Sequence, residues 1–132
     1  MIKRFGASAE VGFTICMDDA DTKRLEPGAS PPSDRIRALK RFHNAGIRTY
    51  VFMGPLIPGI SDANNIVKKT YEWTDHCIID RLNMKGNALK NMSTPSEDYY
   101  IPVKAKLSVM LKNKPHMFFF LIYRLTASFV LI

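Results

Sequence analysis

The chain has 132 residues and a mass of 15.0 kDa, with 46% hydrophobic and 23% charged side chains, which fits one globular domain and excludes a disordered or low-complexity polymer. Two cysteines, Cys16 and Cys77, with no CxxC, CxxxC or His-x-His nearby, signal neither a disulfide framework nor a zinc site and fit a reduced, cytoplasmic setting. The net charge of +7 invites a nucleic-acid reading. However, the bases are spread along the chain, as Arg35, Arg37, Lys40 and Arg41, then Lys68 and Lys69, then Lys104, Lys106, Lys112 and Lys114. These spacings describe the solvated outer faces of helices, with a functional basic patch as the alternative.

In chain order, residues 1–10 form a leader in which Lys3, Arg4 and Glu10 leave no apolar run suited to a signal peptide. "VGFTICM" (11–17) is short, apolar and β-branched, and predicts a buried strand. "SDRIRALKRFHNAG" (33–46) predicts an amphipathic helix on Ile36, Leu39 and Phe42, capped by Ser33 or Asp34 and ended by Gly46. "IRTYVFMGPLIP" (47–58) opens as a second buried strand. Ser61 or Asp62 then caps a helix over "ANNIVKKTYEW", with Ile66, Val67, Thr70 and Tyr71 on one face. "HCIIDRLNM" (76–84) predicts a third strand.

Strand, helix, strand, helix, strand over 11–92, with continuous apolar strands, predicts a parallel α/β sheet covered by helices. Ligands in such sheets gather at the carboxyl ends of the strands, where "GPLIPGISD" falls. There Gly54 and Gly59 permit close approaches, Pro55 and Pro58 stiffen the chain, and Leu56, Ile57 and Ile60 offer apolar surface. Main-chain groups beside apolar side chains suit a flat heterocycle such as adenine, although an ordinary βα turn uses the same residues.

Residues 93–114 form a further unit, where "EDYYIPVKAKLSVMLKNK" (97–114) predicts an amphipathic helix on Tyr100, Val103, Leu107 and Met110. The apolar tail, 115–132, contains Arg124 and is shorter than the about 20 apolar residues of a membrane helix, so a buried strand or a misread tail is expected rather than a span.

The stretch from Val11 to Asn83 resembles the middle of radical S-adenosylmethionine proteins, in the branch related to spore photoproduct lyase and DNA repair photolyase. The resemblance rests on a strand ending in Thr14 and Cys16, an acidic "DD" turn, "RLEPGASPP", a helix closing in "AGI", and "GPLIPGISD". It implies a fragment of a partial (β/α) TIM-like barrel and a reductive cleavage of S-adenosylmethionine to a 5′-deoxyadenosyl radical beside a 4Fe-4S cluster. By the same resemblance, Thr14 and Cys16 border the ribose or methionyl part of the cofactor, Arg24 and Glu26 of "RLEP" lie near it, and Leu56, Ile57, Gly59 and Ile60 border the adenine. Cys16 departs from the hydroxyl residue usual at its place. Asp80, Arg81 and Asn83 are implied to face substrate.

Simpler roles stay open for several of these residues. Arg24 could pair with Asp21, Cys16 could pack in the core, and His43, His76 and His116 have no ligand-like spacing. The family holds its cluster with three cysteines in CxxxCxxC, a motif absent from these 132 residues. The expectation is therefore the later half of a truncated or split enzyme, inactive alone, prone to self-association, and completed by a chain carrying the missing N-terminal half. The alternative is a non-catalytic basic α/β module that binds nucleic acid or an anionic partner.

Overall fold

The computed structural model describes residues 9–81, 97–111, 118–122 and 130–131. In chain order the elements are β1 (Glu10–Thr14), α1 (Asp19–Leu25), α2 (Pro32–Asn44), β2 (Arg48–Leu56) and α3 (Ala63–Thr70), which runs into a 3-10 turn (Tyr71–Trp73). Then follow β3 (His76–Arg81), α4 (Glu97–Leu111), β4 (Phe118–Ile122) and β5 (Val130–Leu131).

The strands form one sheet in the order β1-β2-β3-β4-β5. The first four are mutually parallel, with Val11 opposite Thr49, Val51 opposite Cys77 and Ile78 opposite Phe120, while β5 runs antiparallel to β4. The predicted parallel order of the first three strands is therefore observed, and the apolar tail contributes strands. No helix among the described residues is long and apolar enough to cross a membrane.

Alternation along the strands decides where the core sits. Val51 and Met53 of β2 and Cys77 and Ile79 of β3 share one face and bury themselves against Leu39 of α2, Ile66 and Val67 of α3, and Tyr100 and Leu107 of α4. The other face carries Tyr50, Phe52 and Ile78, all only half-buried. Continuous apolar strands had predicted a sheet covered by helices; among the described residues, the helices of the main core pack on the first face. β1 departs furthest from that expectation, because as an edge strand it alternates between exposed and half-buried residues.

Local sequence accounts for most helix ends. Neither Ser33 nor Asp34 caps α2. The helix starts at Pro32, whose missing N–H costs nothing in the first turn, after Pro31 at the cap position. Ser33 instead donates its amide to Asp19 Oδ1 at 2.9 Å, tying α2 to α1, and Ser33 holds the Asp19 carboxyl below the usual carboxylate range through its hydroxyl and amide. At the other end, Gly46 N–H bonds to the His43 carbonyl and Ile47 N–H to that of Phe42, closing a Schellman turn. Of the two predicted caps for α3, Asp62 is the one used, accepting from Asn65 N–H at 3.0 Å. Replacing Asp62 with alanine is expected to cost about 1 kcal/mol, read as a fall in the urea midpoint that Asp62→Asn largely restores.

Candidate functional site at the carboxyl ends of the strands

β1 delivers Thr14 and then Ile15, Cys16 and Met17 to the carboxyl end of the sheet. Thr14 is exposed, and its carbonyl accepts a 2.7 Å hydrogen bond from Arg35 Nη1. Arg35 Nε donates to the Ser30 carbonyl at 2.8 Å, and Nη2 lies 3.6 Å from a Glu26 carboxylate oxygen. With its side chain only 14% exposed, Arg35 knits the end of β1, the end of α1 and the α1–α2 connection into one unit.

Arg24 is not part of this unit. It lies on the solvent side of α1, 61% exposed, and pairs with Asp21 at 2.7 Å, which was its simpler expected role. Arg35 was overlooked because it belongs to a run of bases on an amphipathic helix that reads as a solvated face. The available signal was its place one turn into α2, where it reaches back over the β1 end.

Cys16 is 3% exposed and packs with Met17 and Ile57, with Leu25 and Ile60 alongside. Burial pushes its thiol up to about 11, the Glu26 carboxylate adds to the rise, and Arg35 opposes it. At neutral pH the sulfur is a neutral packing group rather than a thiolate. Native protein should accordingly be alkylated by iodoacetamide at pH 8 far more slowly than urea-unfolded protein. Because the folded thiol holds its proton above the ordinary value of 9.0, this residue's contribution to stability is full below pH 9 and is lost as pH rises towards about 11. A rate equal in both states would contradict this placement.

The glycine- and proline-rich segment divides in two. Gly54, Pro55 and Leu56 belong to β2, where the pairing slips between Met53 and Leu56 before Leu56 comes opposite Arg81. Gly54 is tightly enclosed, since a Cβ there would lie 2.8 Å from Asp80 Cβ and 2.6 Å from the Phe52 ring. Leu56 is fully buried in the core on the helical side, and Ile57 is 5% exposed, so neither offers the apolar surface expected of them. Ile60, half-buried, does.

A tight turn follows. The Ile57 carbonyl accepts from Ile60 N–H at 3.1 Å and Ser61 N–H at 2.8 Å, while Ile57 N–H donates to Ser61 Oγ at 2.8 Å. The turn thus commits both main-chain groups of Ile57, which were expected to face a ligand. Gly59, at φ 75°, supplies the left-handed residue, and nothing lies within 4 Å of where its Cβ would stand.

At the end of β3, Asp80 is half-buried on the same sheet face as Phe52, beside Gly54, and Arg81 is the last strand residue. Asn83 and His116 lie outside the described residues. His43 and His76 sit at the opposite, amino end of the sheet. His43 is 4.0 Å from Asp75, and His76 stacks on Tyr50 at 5.1 Å and lies 3.9 Å from Glu10. Burial lowers the His76 pKa, with Glu10 opposing.

The geometry therefore gathers Thr14, Cys16, Glu26, Ile57, Gly59 and Ile60 at one end of the sheet and leaves Arg24 outside. A cleft of about 770 Å³ lies on the helical side of this end, between α1, α2 and α3, and only Ile60 of the expected site residues lines it. Among the described residues, no group of three or more His, Cys, Asp or Glu is placed to hold a metal. Cys16 and Cys77 are both buried and belong to separate clusters. The thiols present therefore do not fit an iron–sulfur cluster.

An uncharacterized protein of Methanocaldococcus jannaschii, MJ0683, is 34% identical to this chain over 88 residues, which are 66% of this chain and 34% of that protein. The aligned part thus spans about a third of the length of the curated relative it matches. No family model and no solved structure matches the chain.

Proposed function

We propose that this chain is the later part of a radical S-adenosylmethionine barrel and furnishes one wall of the cofactor site, with the cluster held by another polypeptide segment. The observation that carries the reading is that Thr14 and Cys16, Glu26 of "RLEP" and the turn of "GPLIPGISD", far apart in sequence, meet at one end of the sheet, whereas the "AGI" helix end lies at the other. Thr14 closes β1 in register with Phe52, and the Ile57–Ile60 turn closes β2 beside it. Supporting it, four parallel strands lie in sequential order with the core helices on a single face, as in a barrel wall; a doubly wound sheet reverses its order and covers both faces.

In this reading the half-buried face with Tyr50, Phe52 and Ile78 is the barrel interior. Thr14 supplies a hydroxyl to the ribose or methionyl part, Ile60 packs against the adenine, and Gly59 lets the ligand approach the backbone. Arg35 and Glu26 hold the β1 end in position. S-adenosylmethionine, once bound next to a reduced cluster, would supply the radical chemistry. In this reading the β1 margin of the sheet is where a cluster-bearing segment, or a second copy in its absence, would pair.

A basic nucleic-acid module is less well supported. Arg24, Arg37 and Arg48 pair with Asp21, Asp34 and Glu10, and Lys40 lies 4.8 Å from the Trp73 ring centroid, so these bases are engaged internally. Amide chemical-shift mapping discriminates the two. S-adenosylmethionine up to about 10 mM is expected to shift Thr14, Gly59 and Ile60 with a millimolar Kd. Shifts absent there, with salt-sensitive DNA-induced shifts along α2 and α3, would support the basic module instead.

A further inference from the structure

We draw no further inference here: the strongest candidate, the cleft of about 770 Å³ between α1, α2 and α3 with Asp18, Asp19 and Asp62 around Ile36, Ile66 and Trp73, rests on an acidic cluster whose carboxylates are already engaged at the starts of the three helices, and nothing in the structure shows what fills it.

Discussion

Replacing Leu56 with alanine is expected to destabilise the fold by about 2–5 kcal/mol. Leu56 has 0% exposure and belongs to the same buried cluster as Ala63, Ile66 and Val67, so the substitution leaves a void that the sheet and α3 can close only in part. For a domain of ordinary stability, about 5–15 kcal/mol, this is a large share. Urea unfolding should show a lower midpoint with an unchanged slope. Ile60→Ala, in the same segment but half-buried, should cost distinctly less, because fewer contacts are lost. A Leu56→Ala protein of native stability would mean that Leu56 faces outward, available to a ligand, as the sequence had suggested.

That contrast marks the boundary of what could be read from the residues alone. Three apolar runs separated by a periodic helix and a capped helix were enough to order β1, β2 and β3 as parallel neighbours, because period and caps are local signals. The reading failed where the signal was not local. α1 is a seven-residue helix with only Thr22 buried, so it has no apolar stripe, and its Asp18 cap looked like part of an acidic turn. Gly54 and Pro55 looked like loop, whereas β2 absorbs them by a slip in register and pairs again at Leu56.

Site residues divide in the same way. The left-handed turn residue Gly59 could be placed from turn chemistry, whereas Thr14 entered through the family resemblance. Burial of Leu56 and Ile57, and the commitment of Ile57's main-chain groups to its own turn, depend on how α1 and α3 pack across the end of the sheet. Arg35 illustrates the opposite error. Its fork bonds backbone carbonyls at Thr14 and Ser30, partners that no spacing rule could pair with it. On α4, the sequence revealed the inner face that carries Tyr100 and Leu107.

The cofactor reading is tested most directly by anaerobic reconstitution with iron and sulfide, followed by an assay for 5′-deoxyadenosine under a strong reductant. In the proposed reading, a wall of Thr14, Gly59 and Ile60 would offer apolar contact and a few hydrogen bonds, each contributing about 0.5–1.5 kcal/mol net. These must offset an association cost of at least about 4 kcal/mol, so millimolar affinity is the most the chain can reach unaided. Its buried thiols give the iron no anchor. The chain alone should therefore take up no stoichiometric iron and form no 5′-deoxyadenosine, while mixing it with a polypeptide that bears CxxxCxxC and the preceding strands should yield product. Deoxyadenosine and stoichiometric iron in the chain alone, or no product when the two polypeptides form a stable complex with a loaded cluster, would contradict the assignment.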